Sequence, residues 1–558
     1  MRYLLWSVLL AMVLTATVLI SRPLLPVDET RYVTVAWEAH LRGDYLVSHL
    51  HGEPYSHKPP LLFWLINAVW AFTGVSEIPA RLVAPTAGIL CLWLTRLITQ
   101  RLWPACNSLI HCAPVVHVSV MLWIVFCPVT MFDTLLTGCT MSALLGVLMA
   151  AEGTPIRGWL LAGVGMGLGI LTKGPVVLVH VLPAAILAPW WTSELKGRKL
   201  RWYCGALCSI AVAAAIGLSW AVPSAAAGGE AYANELLFGQ TAGRMVNSFA
   251  HRQPMWWYLP WLPLCLMPWI SFGAVWRGLR RTPLDRGLKF LLSWAGTSLI
   301  ILSLVSGKQI YYLLPIFPAC AIILARLATS AEGISGRRDL LFIVPGTVGM
   351  ATLPIVFNSW PELANGRLSN IISNTYVVPL MICGLFLLVP LWRKAEGAFM
   401  AISTSSIVFI SLVVGAVSGT VWDGFDLKPL ATFVARTERP VAWYGEYQGQ
   451  LSFIGRTEKV HEADELEPLR DWLKANPGGL VIVRLRDSQV ISAELAKSLR
   501  AADRTEPVET AQAISDLLIQ EEEFPFAEKR PLVLFVQRIR KGLTFEFAVV
   551  VSYREAVQ

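Results

Sequence analysis

The residues best suited to chemistry gather early in the chain, between residues 25 and 81. The segment opens Leu25-Pro-Val-Asp28-Glu29-Thr-Arg31-Tyr32 and passes through Gly43-Asp44-Tyr45. It continues with Tyr55-Ser56-His57-Lys58-Pro59-Pro60 and closes on Glu77-Ile-Pro-Ala-Arg81. Asp28 and Glu29 directly follow an apolar run and a proline. Two acids at such a boundary are expensive unless they face a polar cavity. An N-cap on the following helix accounts for one of them, not for the whole set of acids, histidine and lysine. Lys58 precedes two prolines that fix the backbone, so its ammonium projects from a defined place; snorkelling at a helix start is the plainer reading of the same lysine. Later in the chain come Asp133-Thr134, Lys173-Gly174-Pro175 and Lys308-Gln309 with Tyr311-Tyr312. Glu235, Arg244, His251 and Arg252 add a further polar group. Lys58, Lys173, Arg244, Arg252 and Lys308 together could line a cationic cavity for a phosphate-bearing amphiphile, because Lys and Arg neutralise phosphate oxygens.

The elements that must position these residues are membrane spans. Of 558 residues, 55% are hydrophobic and only 15% charged, against about 25% charged in soluble proteins; mean hydropathy is +0.55. This excludes a soluble enzyme, a disordered chain and a nucleic-acid-binding module. The 23 Trp suit a protein with two long lipid–water interfaces. Apolar runs predict about thirteen spans: 3–20, 79–98, 114–127, 133–151, 158–172, 174–191, 203–222, 257–276, 288–306, 309–327, 339–358, 374–392 and 398–420. With Met1-Arg2 placed in the cytoplasm, the strongly basic short loops all fall on one side. They carry Arg96 and Arg101, Arg157, Lys196 to Arg201, Arg277 to Lys289, Arg326 to Arg338, and Arg393-Lys394. That is the positive-inside pattern, and it explains the net charge of +8 without nucleic acid. An odd count places the C-terminus outside, in the periplasm of a Gram-negative cell, together with loops 21–78 and 223–256.

The membrane part is expected to end near residue 420. Residues 421–558 hold β-type runs at Leu480-Val-Ile-Val-Arg, Pro531-Leu-Val-Leu-Phe-Val-Gln and Phe545-Glu-Phe-Ala-Val-Val-Val-Ser. Helix-like stretches at Glu465–Ala475 and Ser492–Ala502 lie between them. A small periplasmic α/β domain follows. It contains no Gly-rich phosphate loop. All 10 cysteines lie between Cys91 and Cys383 and form no CxxC pair, so a disulfide framework or a Cys-based zinc site is not expected.

The segment with Asp28-Glu29-Thr-Arg31-Tyr32, Gly43-Asp-Tyr, Lys58-Pro-Pro-Leu-Leu-Phe-Trp-Leu and Glu77-Ile-Pro-Ala-Arg81 resembles the bacterial lipid A aminoarabinose transferases. These belong to the protein O-mannosyltransferase-like, GT-C glycosyltransferase group. The likeness is strongest over residues 25–86 and continues at Asp133-Thr134, Leu171-Thr-Lys-Gly-Pro and Lys308-Gln-Ile-Tyr-Tyr-Leu-Leu-Pro. It implies a GT-C fold of thirteen spans with a periplasmic α/β domain. The implied reaction moves a sugar, 4-amino-4-deoxy-L-arabinose, from undecaprenyl phosphate to a lipid A phosphate on the periplasmic face of the inner membrane, which lowers surface negative charge and confers resistance to cationic peptides such as polymyxin.

By this resemblance Asp28, with Glu29 and Asp133, forms the acidic catalytic region. Lys58 binds the donor phosphate, and Tyr311 or Tyr312 contacts it, with Arg31, Arg244, Arg252 and Lys308 as further phosphate ligands. Tyr55, Lys173, Glu77 and Arg81 are other site candidates. His57 stands where family members often carry Glu before Lys-Pro-Pro. His57 and His251 are then the candidate ligands of a structural divalent metal such as zinc, and no cofactor is required for transfer. Alternatives left open are a related transferase with another sugar or a protein or glycan acceptor, and a transporter or flippase of polyprenyl-linked sugar. A transporter commonly shows repeated halves, and this sequence has none.

Overall fold

The computed structural model describes residues 1–195, 197–237, 252–330, 395–418, 422–486, 531–541 and 544–553. The spans expected at 339–358 and 374–392, the helix at Ser492–Ala502, and Arg244 and His251 lie outside the described residues. Two compact units emerge. Unit 1 comprises Met1–Ile20, Asp44–Ser48 and Pro54–Val417; unit 2 comprises Ser21–Gly43, His49–Glu53 and Ser418–Gln558.

Unit 1 is helical. Its elements, with α2 (Asp28–Arg42) assigned to unit 2, are α1 (Arg2–Ser21), α3 (Leu61–Thr73), α4 (Glu77–Leu102), α5 (Asn107–Ser119), α6 (Met121–Phe126), α7 (Phe132–Ala151), α8 (Pro155–Lys173) and α9 (Val176–Ile186). They continue with α10 (Lys199–Gly228), α11 (Arg286–Leu304), α12 (Phe317–Ser330) and α13 (Ala395–Ala416). Among the described residues, 8 helices are long and apolar enough to cross a membrane, and α3 and α9 are shorter apolar helices. The chain is a polytopic helical membrane protein. Two expected spans differ in shape. The run 114–127 is divided between α5 and α6, because Val120 leaves the helical region at φ −69°, ψ 131°. The run 257–276 is not one helix: a helix at Tyr258–Cys265, which accommodates Pro260 and Pro263, ends before Pro268, and a 3₁₀ turn at Trp269–Ser271 and a helix at Gly273–Arg281 follow. Proline removes the backbone donor and its ring clashes with the preceding turn.

The α7–α8 hairpin carries Asp133 and Lys173, and its helices touch backbone to backbone. A Cβ on Gly146 would meet Ala162 N and Gly158 O at 2.5 Å. One on Gly158 would meet Ala150 N at 2.4 Å. Lipid offers little hydrophobic drive between helices, so such small-residue contacts hold the pair. Gly158→Leu is expected to remove most detergent-extractable monodisperse protein, measured by fluorescence size-exclusion; an unchanged elution peak would contradict this packing.

Unit 2 contains α2 (Asp28–Arg42), α14 (Lys428–Arg436), α15 (Leu466–Ala475) and a five-stranded sheet. The strands are β1 (Val441–Tyr444), β2 (Val460–Ala463), β3 (Leu480–Arg486), β4 (Pro531–Lys541) and β5 (Thr544–Tyr553). The order is β2-β1-β3-β5-β4. β1 pairs parallel to β2 and β3, with Val441 opposite Val460 and Leu480. β3–β5 and β5–β4 are antiparallel, with Leu480 opposite Ser552. The core joins Leu430, Trp443, Tyr447, Ile482, Phe535 and Val550. α2 belongs to this unit because its residues bond the segment after β1: Thr34 Oγ1 donates to Gly449 O at 2.8 Å and Arg31 donates to Gln448 Oε1.

Candidate functional site

The acidic loop is built within unit 2. Asp28 opens α2, where the helix N-terminus favours a carboxylate. Its Oδ1 accepts from Arg31 Nη2 at 2.5 Å and from Tyr32 OH at 3.1 Å, and its side chain keeps 42% exposure. Glu29, one residue on, is buried. It binds Arg22 through both guanidinium nitrogens, with Arg22 Nη2 to Oε1 at 3.1 Å, and also accepts from Leu25 N at 2.9 Å. The two acids therefore differ: Asp28 is half-open to solvent and Glu29 is neutralised inside. Arg22 is not among the residues the sequence pattern points to. Arg31, expected on a phosphate, spends its guanidinium on Asp28 and Gln448. Further along α2, Glu38 accepts from His51 N at 2.8 Å and Gly52 N at 3.1 Å. Burial raises the Glu38 carboxyl above its ordinary range, against the pull of those N–H groups. Burial also holds the His51 imidazole down at about 4, so it packs neutral against Tyr447, ring centroids 4.5 Å apart.

A second polar centre lies within unit 1. Asp133 is the second residue of α7 and Lys173 the last of α8, so an antiparallel hairpin returns them to the same end. Lys173 Nζ donates to Asp133 Oδ1 at 2.7 Å, with side chains 16% and 4% exposed. The same ammonium sits 4.5 Å from the ring centroid of Tyr312 and 5.3 Å from that of Tyr311, an arrangement that holds a cation by the ring quadrupole. Four residues that the sequence scatters over three runs thus meet at one point. Phe63 of α3 meets Phe132 edge-on at 5.6 Å. This packs the helix that follows Lys58-Pro59-Pro60 against the start of α7. Lys58 is half-buried and His57 exposed; Tyr55 is buried, its ring 5.1 Å from that of His57.

The remaining candidates are placed differently. Lys308 is buried and donates to Gln253 O at 3.0 Å and to Val305 O. Arg252 pairs its backbone with Gly307 and is exposed. Arg81 is buried and pairs with Glu77 at 2.8 Å and with Val18 O at 3.4 Å, tying α4 to α1. Among the described residues no group of three His, Cys, Asp or Glu could hold a metal.

Known proteins sharpen this picture. Residues 57–220 match the family model described as dolichyl-phosphate-mannose-protein mannosyltransferase. The chain is 28% identical over 346 residues to an undecaprenyl phosphate-alpha-4-amino-4-deoxy-L-arabinose arabinosyl transferase of Edwardsiella ictaluri, covering 60% of this chain and 61% of that one. It is 26% identical to the protein of the same name from Erwinia tasmaniensis, covering 62% and 64%. The chain thus spans about three fifths of the length of these curated relatives. In three dimensions it superposes on the crystal structure of ArnT from Cupriavidus metallidurans bound to undecaprenyl phosphate. The TM-score is 0.69 at 18% identity, over 99% of this chain and 98% of that one. The fold is that of the GT-C glycosyltransferases. The oligosaccharyltransferase of Archaeoglobus fulgidus shares this GT-C fold more distantly, with TM-score 0.51 at 12% identity over 89% of this chain and 71% of that one. The family match over residues 57–220 covers the α7–α8 hairpin and its Asp133–Lys173 pair.

Proposed function

We propose that this protein transfers a sugar, 4-amino-4-deoxy-L-arabinose, from undecaprenyl phosphate to a phosphate of lipid A on the periplasmic face of the inner membrane. The observation that carries the reading is the convergence of Asp133, Lys173, Tyr311 and Tyr312 in a fold shared with ArnT bound to undecaprenyl phosphate. The names of the curated relatives support the sugar and the carrier.

In the transfer, the bond from the anomeric carbon to the lipid phosphate oxygen breaks and its electron pair leaves with the phosphate. An oxygen of the acceptor forms the new bond. The leaving group is already a stabilised anion. Lys58, at the outer end of α3, neutralises the charge that grows on it. Arg244 and Arg252 are proposed as its companions. An acceptor phosphate is itself an anion and needs no general base, so Asp28 aligns the sugar and stabilises positive charge at the anomeric carbon. With a hydroxyl acceptor Asp28 would be the base. Glu29 is reassigned in this scheme from catalysis to holding the loop, because its carboxylate is already taken by Arg22.

Purified protein in liposomes, supplied with the lipid-linked aminopentose and lipid A, is expected to release undecaprenyl phosphate and add one aminopentose per acceptor phosphate. Transfer to a protein or another glycan, with lipid A untouched, would favour the related-transferase reading. Lys58→Ala is expected to raise the donor KM and lower kcat/KM by about 100-fold, the scale of one preorganised electrostatic contact; an unchanged kcat/KM would remove Lys58 from the donor site. The chemistry as written calls on no metal, so chelation with EDTA is expected to leave the initial rate unchanged. The same reading places the N-terminus in the cytoplasm and unit 2 in the periplasm.

A further inference from the structure

We infer that the end of unit 1 opposite the Lys173–Asp133 pair holds a binding pocket for the phosphate headgroup of an anionic phospholipid. α7 runs from Asp133 to the turn at Glu152, and its 20 residues at 1.5 Å each separate the two ends by about 30 Å, the thickness of a bilayer core. At the far end an open cleft of about 560 Å³ is lined by Leu97, Gln100, Arg101, Pro104, Glu152 and Arg286. No role in sugar transfer reaches it.

The cleft is cationic by construction. Glu152 accepts from Arg101 Nη1 at 2.7 Å and from Arg286 Nη2 at 3.3 Å, so one carboxylate faces two guanidiniums. Each guanidinium carries five N–H donors, far more than two carboxylate oxygens can absorb. The Nε of Arg286 is buried with no acceptor among the described residues. Arg101 and Arg286 are each 37% exposed, open enough to meet a ligand. Both are held in place: Arg101 ends α4, while Arg286 begins α11 and lies 5.8 Å from the Trp191 ring. The first turn of α11 is capped by its own Asp285, which accepts from Leu288 N at 2.9 Å and fixes the start of the helix that carries Arg286.

Charge pattern and lining choose the ligand. Arg157, Arg281 and Lys289 stand in the loops or helix ends of the same side, with Arg326 there paired to Asp285 at 3.2 Å. By the positive-inside rule this side faces the cytoplasmic leaflet, whose anionic lipids attract basic residues; basic pockets between spans bind lipid phosphates. Leu97 and Pro104 give the cleft an apolar wall for the glycerol and upper acyl chain, which a free phosphate would not use.

The test uses the full chain in detergent, with cardiolipin, phosphatidylcholine or inorganic phosphate added, read by native mass spectrometry and thermal unfolding. Cardiolipin is expected to remain bound and to raise Tm, with no effect from phosphatidylcholine or phosphate. Arg101→Gln with Arg286→Gln is expected to weaken cardiolipin about thirtyfold, two basic contacts of ordinary strength at an anionic surface. Glu152→Gln frees both guanidiniums and is expected to tighten cardiolipin retention, although it breaks the same ion pairs; this variant separates a binding pocket from a mere structural network. Equal shifts with phosphatidylcholine, a full shift from inorganic phosphate, or cardiolipin retention unaltered by Glu152→Gln would each overturn the assignment.

Discussion

Asp28→Asn is expected to lower sugar transfer by about 10²- to 10⁴-fold with little change in folding. Asparagine keeps the shape of the side chain and its carbonyl oxygen can still accept from Tyr32, which now lies 3.1 Å from Oδ1. Arg31 retains Gln448. The carboxylate is 42% exposed, so its loss removes no buried charge partner of consequence, and ion pairs of this kind contribute only about 0–1 kcal/mol. What the substitution does remove is the negative charge available to an anomeric carbon or to the amine of the sugar. Steady-state transfer beside a thermal melt separates the two effects. A variant of normal Tm and normal kcat would take Asp28 out of the reaction. A variant that loses Tm along with kcat would give it a structural role.

The second large effect falls on stability. Arg22→Met is expected to destabilise the protein by about 3–5 kcal/mol, because it strands a buried carboxylate. The Arg22 and Glu29 side chains are 3% and 2% exposed, and Glu29 also accepts from Leu25 N at 2.9 Å. A buried carboxylate that loses its guanidinium partner keeps its desolvation cost and loses the opposite charge that offset it. The double variant Arg22→Met, Glu29→Leu removes both charges and is expected to recover most of the loss, since well-packed apolar pairs often replace buried ion pairs at no net penalty. Chemical or thermal unfolding of the three proteins forms the double-mutant cycle. Equal stability of wild type and Arg22→Met would mean that Glu29 is protonated or solvated, and would return it to the list of candidate acids.

These two residues also mark what the sequence could and could not reveal. The long apolar helices among the described residues were legible because hydropathy is a local property. α7 and α8 fall within a few residues of the runs read at 133–151 and 158–172. The division of labour between Asp28 and Glu29 was not legible, since it depends on which side of α2 faces Arg22. The meeting of Asp133, Lys173 and Tyr312 was also hidden. Each residue was noticed, but only the hairpin return and the packing of the 310–316 turn on α7 bring them together. The break within 257–276 falls at Pro268, a local signal within an otherwise apolar run. In unit 2 the long runs at 480 and 531 announced strands. β1 and β2 span four residues each, too short for a pattern of alternation to rise above the surrounding chain. Nothing local told that Ser21–Gly43 would join the C-terminal sheet, because Arg31 and Thr34 find Gln448 and Gly449 more than 400 residues away in sequence.

The most direct test of the central claim is the mass spectrum of lipid A from cells with the gene, without it, and with an Asp28→Asn copy expressed at the same level. A phosphate-linked aminopentose increment is expected to disappear with the gene and not to be restored by Asp28→Asn. An identical lipid A profile in all three strains, under conditions where the protein is present in the membrane, would contradict that claim.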